Sequence, residues 1–377
     1  MSESPRAAEF FAGIGLMRAG LEAAGVEVVW ANDIEPAKQA SYAANFGGAG
    51  YVLSDVRDVA GDDVPTVELA TASFPCTDLS LAGNRDGLGE SAGAHFRADG
   101  SSMFWEFARV LYELGSRRPP VVLLENVLGF ASSKDGGDLA DAVRALNDLG
   151  YSCDLLVIDA RHFVPQSRPR LFIVALETPR AGDTLTRSAN HPRWLARLIA
   201  QAPDVRLHRR LLPPLPSGPS DLSGIVDQSE SAELDWWDEE RVERFIDSLS
   251  GLNRARLDVL RANERVVRRT AYRRTRGGRA VWEIRADAIS GCLRTARGGS
   301  SKQALVEAER GAVRVRWMTP REYAHLMGAP WFILGDRASN ALFGFGDAIC
   351  VPVVHWLCDH YVAVEARAAR ARSLALN

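Results

Sequence analysis

The sequence predicts an α/β fold, a doubly wound Rossmann-like sheet carrying a smaller inserted domain. Three observations predict it. Strand-like and helix-like patterns alternate from Ala8 to about Leu176, which is the rhythm of βαβ units. The strand-like runs are continuously apolar and stop at polar residues, as buried parallel strands do at the carboxyl edge of a sheet. After residue 176 the regularity fails, in a stretch that holds Pro192, Pro203, Pro213, Pro214, Pro216 and Pro219, and it returns fully only at Pro320, so an irregular insertion interrupts the alternation.

The first strand runs into Phe10-Phe11-Ala12-Gly13-Ile14-Gly15-Leu16, and a helical pattern of Leu16, Ala19, Leu21 and Ala24 then ends at Gly25. Strand, glycine turn and helix form the usual receiver of a nucleotide-like ligand. Glycine lets the backbone come close, and the helix amino terminus offers unpaired N–H groups. The dinucleotide fingerprint is not completed, because Arg18 stands where the third glycine belongs; this counts against NAD. A second strand over 26–31 ends in Asn32-Asp33, where a carboxylate can grip a ribose diol. A helix over 36–46 leads to a third strand, Tyr51-Val52-Leu53, which runs into Ser54-Asp55-Val56. The fourth run, 67–74, ends at Pro75-Cys76, and a helix over 102–114 follows. The fifth, Val121-Val122-Leu123-Leu124, stops at Glu125-Asn126-Val127; a helix over 138–149 and strands over 152–158 and 170–175 complete the sheet.

Cys76 and Glu125 thus end two buried strands, and the fold places a thiol and a carboxyl in one crevice. The pair suits attack on an electron-poor ring: Cys76 adds, and Glu125 supplies a proton or hydrogen bond to a ring nitrogen. Singly, each residue has a plainer role, the cysteine as a small core side chain and the glutamate as a cap or surface group.

With these residues in order, the chain resembles a DNA (cytosine-5)-methyltransferase of the bacterial, S-adenosylmethionine-dependent type. Phe11-Ala12-Gly13-Ile14-Gly15 resembles the cofactor loop, and Asn32-Asp33-Ile34 the ribose-binding acid with the apolar residue that packs on adenine. Asp55-Val56 resembles the adenine-amino contact, Phe74-Pro75-Cys76 the nucleophile motif, and Ser102-Met103-Phe104-Trp105-Glu106 the helix start that touches the cofactor. Glu125-Asn126-Val127 and Gln166-Ser167-Arg168-Pro169-Arg170 resemble the two motifs that hold the target base. Thr319-Pro320-Arg321-Glu322 resembles the motif that organises the recognition domain, and Gly344-Phe345-Gly346-Asp347-Ala348 the one that closes the cofactor pocket.

The resemblance implies a Rossmann-like methyltransferase sheet with an inserted DNA-recognition domain. It implies Cys76, Glu125, Arg168 and Arg170 as catalytic residues. Phe11, Ala12, Gly13, Ile14, Gly15, Asp33, Ile34, Asp55, Val56, Pro75, Met103, Asp347 and Ala348 would bind S-adenosylmethionine. Ser80 and Gln166 would meet DNA. Two departures stand out: Thr77 follows the cysteine where the family often has glutamine, and Asp347 replaces an asparagine. The loop over 81–101 is long and glycine-rich, and it reads as a lid. The implied division is 1–178 for the catalytic domain, 179–330 for target recognition, and 331–377 for a segment returning to the catalytic domain.

Composition agrees with a soluble enzyme. At 377 residues, 46% hydrophobic and 25% charged, the chain can bury an ample core. No apolar run approaches the ~20 residues of a membrane span, and the amino terminus is no signal peptide. Five cysteines without paired metal spacing point to a reducing compartment and no metal site. The net charge of −3 would suit DNA poorly were it evenly spread, but between residues 251 and 300 thirteen arginines stand against four carboxylates. Arg273, Arg274, Arg276 and Arg279 flank Gly277-Gly278, a loop tip between basic arms, and are the first candidates to enter a DNA groove. The expected partner is double-stranded DNA, met by a monomer in the bacterial cytoplasm at the nucleoid. Whether a separately acting restriction endonuclease accompanies it stays open, as does an RNA cytosine methyltransferase of the same fold or a DNA-binding homologue without catalysis.

Overall fold

The computed structural model describes residues 4–75, 103–179, 188–226, 234–276, 278–294, 302–335 and 338–376. Cys76, Ser80 and the 81–101 loop lie outside these residues. The chain divides into two units: Met1–Ile158, Pro169–Pro214 and Val353–Asn377 form the first, and Asp159–Arg168 with Leu215–Pro352 form the second.

In the first unit, apolar strands and amphipathic helices alternate as β1 (Arg6–Phe10), α1 (Leu16–Ala23), β2 (Glu27–Asp33), α2 (Pro36–Phe46), β3 (Tyr51–Leu53), β4 (Leu69–Ala72), α3 (Met103–Glu113), β5 (Val121–Val127), α4 (Leu128–Ser132), α5 (Gly137–Asp148), β6 (Ser152–Asp159), β7 (Pro169–Leu176) and α6 (Arg193–Ile199). The strands pair in the order β3-β2-β1-β4-β5-β7-β6. Pairing is parallel from β3 through β5, and β7 runs antiparallel to β5. β4 and the first six residues of β5 are buried throughout, the expected signature of strands covered on both faces. Phe107 of α3 meets Phe10 edge-on at 5.0 Å, and Phe74 meets Phe104 at 5.5 Å and Phe130 at 5.4 Å. Such pairs add about 0.5–1.5 kcal/mol each beyond their burial, and they fix the end of β4 against α3 and α4.

The unit boundaries differ from those the sequence suggested. Residues 188–214 belong to the first unit because polar ties hold them on β6 and α5. His191 Nε2 lies 2.7 Å from Asp154 Oδ1, and the Arg206 amide donates to Asn147 Oδ1 at 2.6 Å. The proline-rich composition that read as linker describes a strap without regular ladders. The return to the first unit comes at 353, not 331, because the Val351 amide donates to the Met327 carbonyl at 3.0 Å within the second unit. The helical run Ala341–Ala375 is long and apolar enough to span a membrane, yet 67% of its most apolar window is buried. Val354, Leu357, Tyr361 and Ala366 are fully covered, so this is core packing.

The second unit holds α7 (Glu239–Asp247), α8 (Gly251–Arg261), β8 (Val267–Arg276), β9 (Arg279–Ile284), β10 (Gln303–Glu309), β11 (Ala312–Trp317), α9 (Pro320–Leu326) and α10 (Ala338–Asp347); α11 (Val351–Leu357) and α12 (Ala363–Leu376) follow. Its sheet is antiparallel in the order β11-β10-β8-β9. One face buries Trp237, Phe245, Trp282, Ala304 and Val306. At the start of α9, Thr319 and Glu322 form a reciprocal cap behind Pro320, a strong helix start. Glu322 also pairs with Arg316 of β11 at 2.6 Å, and both side chains are fully buried. The Thr-Pro-Arg-Glu motif therefore anchors a helix to the sheet that carries the basic hairpin.

Candidate active site

Strand register puts the expected ligand residues of the first unit on one edge. Phe10 lies opposite both Asn32 and Ala72, Asp33 opposite Leu53, and Ala72 opposite Leu124. One step beyond Phe10, Ala72 and Leu124 come Phe11, Ser73 and Glu125, which stand level with Asp33 and Leu53 at the carboxyl edge where open α/β sheets bind ligands.

On the cofactor side, the 11–15 turn is built from left-handed residues: Phe11 has φ 56°, Gly13 58° and Gly15 87°. The first is costly for a residue with a side chain, and such strain gathers at functional sites. The Gly13 amide donates to Asp33 Oδ2 at 2.9 Å, and Asp33 Oδ1 accepts from the Glu35 amide at 2.9 Å. Asp33 thus fixes the turn against the end of β2. Among the described residues a Cβ at Gly13 would meet the Phe11 carbonyl alone, at 4.0 Å, which leaves room for a ligand against this backbone. At Gly15 a Cβ would lie 2.5 Å from the Phe46 ring and 2.9 Å from Tyr42. The sequence suggested ligand approach at both glycines; at Gly15 the absence of a Cβ is also required by the packing of α1 on α2. Arg18 lies over the rings of Tyr42 and Phe46 and donates to the Tyr42 hydroxyl at 3.1 Å.

Ile34 is 61% exposed beside the end of β2, a free apolar surface suited to a flat ring. Asp55 accepts from the side chain and amide of Arg57, which hold its carboxyl below the usual range. Asn32, which the sequence reading passed over, donates to the carbonyls of Val52 at 3.0 Å and Ser54 at 2.8 Å and so levels β3 with β2. Val56 is buried, and Met103 opens α3 half-covered.

On the base side, Asn126 donates to the Phe74 carbonyl at 3.1 Å. It draws Pro75, the last described residue before Cys76, to the end of β5. Glu125 is 7% exposed, and its Oε1 lies 3.0 Å from Arg170 Nε. Arg170 stands opposite Val127 in the antiparallel β5–β7 pair and reaches Glu125 diagonally, two residues along β5.

Arg168 and Gln166 belong to the second unit and do internal work there. Arg168 is 2% exposed. Its guanidinium donates to the carbonyls of Leu293 at 2.8 Å, Gly346 at 3.0 Å and Ala348 at 2.6 Å. Gln166 is fully buried, donating to Leu326 O at 2.7 Å and accepting from the Leu293 amide at 3.1 Å. The sequence reading placed one on the target base and the other on DNA; in this structure both act as ties between peptide segments. A motif of polar residues does not itself reveal which ones turn inward. Ala348 is one of those tied carbonyls, and Asp347 is exposed at the end of α10.

The sequence profile of the C-5 cytosine-specific DNA methylases matches residues 6–362. The chain belongs to this family. It is 32% identical over 168 residues to the Type II methyltransferase M.MspI of Moraxella sp, and 32% identical over 167 residues to M.HhaI of Haemophilus parahaemolyticus. Each alignment takes in 44% of this chain, with 37% of the first relative and 47% of the second, so the chain spans under half the length of these curated relatives. Among solved structures, the Dnmt2 methyltransferase of S. pombe aligns over 94% of this chain and 97% of its own with a TM-score of 0.60. A DNMT2 mutant of Spodoptera frugiperda aligns over 94% and 98% with a TM-score of 0.62. Both are 17% identical, and that likeness is one of fold. Members of the family are in general S-adenosylmethionine-dependent.

Within this methylase chain, the basic segment is a hairpin. β8 and β9 pair to their tips, with Arg276 opposite Arg279. Several of its arginines are tied down. Arg268 pairs with Glu307 at 2.8 Å, Arg274 with Glu283 at 3.3 Å while covering Tyr272, and Arg285 with Asp287 at 2.6 Å. Arg273 and Arg279 carry no ion pair among the described residues, and Arg279 is exposed.

Proposed function

We propose that the protein transfers a methyl group from S-adenosylmethionine to C5 of a cytosine flipped out of a specific double-stranded DNA sequence. Cytosine C5 is a poor nucleophile. Addition of the Cys76 thiolate at C6 turns the ring into an enamine whose C5 attacks a methyl group. S-adenosylmethionine, when bound, would supply that methyl as an electrophile, its sulfonium sulfur keeping the bonding pair and leaving as a neutral thioether. Loss of the C5 proton and breakage of the C6–sulfur bond then release the product and the thiolate. Glu125 offsets charge at N3, and Arg170, its neighbour, orients the base oxygen. Arg168, whose guanidinium donates to the carbonyls of Leu293, Gly346 and Ala348, is the second arginine assigned to holding the base and its sugar–phosphate. Phe11 to Gly15, Asp33, Ile34, Asp55, Val56, Pro75 and Met103 hold the cofactor. The open backbone at Gly13 and the exposed Ile34 fit an adenosyl group. Flipping the base out of the stack costs a few kcal/mol.

The observation that carries this reading is Ser73, three residues before Cys76, level with an ion-paired Glu125 on the strand edge. The Arg hairpin on a dedicated sheet favours duplex DNA over RNA as the substrate. We place the enzyme, as a monomer, in the bacterial cytoplasm, as the modifying half of a restriction system. The test is Cys76→Ala. It should abolish transfer while leaving cofactor and DNA binding in place, and the parent should form a covalent adduct on duplexes carrying 5-fluorocytosine, whose fluorine cannot leave as a proton. An active variant, a missing adduct, or methylation of RNA but not duplex DNA would overturn the proposal. Bisulfite sequencing of DNA from expressing cells reads the target motif directly.

A further inference from the structure

The connection from β3 to β4 has little regular structure beyond two three-residue turns, Val56–Asp58 and Gly61–Asp63. Such a stretch depends on side chains from elsewhere to fix it. Arg109, in the middle of α3, is 5% exposed. Its Nη2 donates to the carbonyls of Val59 at 2.9 Å, Val56 at 3.1 Å and Arg57 at 3.4 Å. Its Nε donates to Glu106 at 2.8 Å and its Nη1 to Glu113 at 2.9 Å. The other oxygen of Glu113 accepts from the Gly61 amide at 3.0 Å. A buried guanidinium is costly unless its donors are matched. Here the backbone partners are the residues flanking and including Val56, while the carboxylates hold the fork in one plane. Arg117 grips the far end of the same connection, at the carbonyls of Gly61 at 3.0 Å and Val64 at 2.8 Å.

We propose that Arg109 is a positioning residue that sets the height of Asp55 and Val56 on the sheet edge and thereby governs S-adenosylmethionine affinity without touching the cofactor. This rests on the reading of Asp55 and Val56 as adenine contacts. A lysine at 109 keeps the charge but loses the planar fork, so it cannot serve two carboxylates and the carbonyls together.

The test is calorimetric titration of the full chain with S-adenosylmethionine, with steady-state kinetics on duplex DNA. Arg109→Lys should raise the cofactor Kd about tenfold, the order expected for one charge-assisted hydrogen bond. Its kcat at saturating cofactor should stay within about twofold, the pattern of lost binding and not lost chemistry. Arg117→Lys should lower the melting temperature but leave the Kd unmoved. Glu113→Gln, which keeps the guanidinium, should weaken the cofactor less and in the same direction. An unmoved Kd in both Arg109→Lys and Glu113→Gln, or an equal rise in Arg117→Lys, overturns the proposal. Asp55→Asn separates the layers. If it weakens binding while Arg109→Lys does not, the positioning role alone fails; if neither matters, the adenine contact and the positioning role fail together.

Discussion

Glu9 sits in the middle of β1, opposite Thr71 of β4, and is 1% exposed. Neither its carboxyl oxygens nor the Thr71 hydroxyl has a hydrogen-bond partner among the described residues. Burial pushes the carboxyl up to about 8 from an ordinary 4.5, with Arg18 opposing the rise and Asp33 adding to it. The folded-state value lies above the unfolded one, so the protonated side chain is the form the native state prefers. Its contribution is fully present below pH 4.5 and is lost as pH rises through 8. At about 1.36 kcal/mol per pH unit, the native state forfeits roughly 3 kcal/mol by pH 7 and about 5 kcal/mol above pH 8. Glu9→Gln presents an uncharged group of the same shape to the same surroundings and removes that dependence. Urea unfolding of parent and variant from pH 5 to pH 9, compared at a common slope, should show near-equal stability at the acid end. The variant's advantage should widen steadily to a plateau above pH 8. A gap that stays constant with pH, or that grows toward acid, would refute the reasoning.

Two further outcomes follow from packing and charge. Gly15→Val should lower the melting temperature in the absence of cofactor, because its side chain meets Phe46 and Tyr42. Gly13→Ala should cost only about 1–2 kcal/mol of left-handed strain and instead weaken S-adenosylmethionine binding, as calorimetry would register. In the hairpin, Arg273→Ala with Arg279→Ala should reduce the salt slope of duplex binding by about two, whereas Arg268→Ala, whose side chain is held by Glu307, should leave the slope unchanged.

The sheet was legible because its central strands β4 and β5 are buried on both faces, so composition alone marks them, and because β2 and β5 run into the polar residues Asn32-Asp33 and Glu125-Asn126. The helix over 36–46 needed only Pro36 at its start and Gly47 past its end. The second sheet was not legible. In β8 the arginines fall on both faces, with Arg269 and Arg273 beside the aromatic core and Arg268 and Arg274 opposite, which erases the period of two that marks a half-buried strand. The Gly277-Gly278 pair still marked a turn between basic arms. Asp33, Asp55 and Glu125 could be read as strand-end acids. The inward turn of Gln166 and Arg168 could not, since it depends on the carbonyls of Leu326 and Gly346, more than a hundred positions away.

The first unit is finished by chain that follows the inserted segment, Val353–Asn377. Arg367 donates to the Ala24 carbonyl, Arg370 pairs with Glu68 at 3.0 Å, and the Tyr361 hydroxyl meets His208 at 2.6 Å. During synthesis, β1 to β7 are complete long before α12 exists. The intervening Leu215–Pro352 segment takes roughly 7–28 s to translate at 5–20 residues per second. For that interval the ground that Tyr361, Val362 and Ala366 will cover is left bare of them. The length of the inserted segment thus acts as a clock, setting how long the first unit waits for its own closing helix.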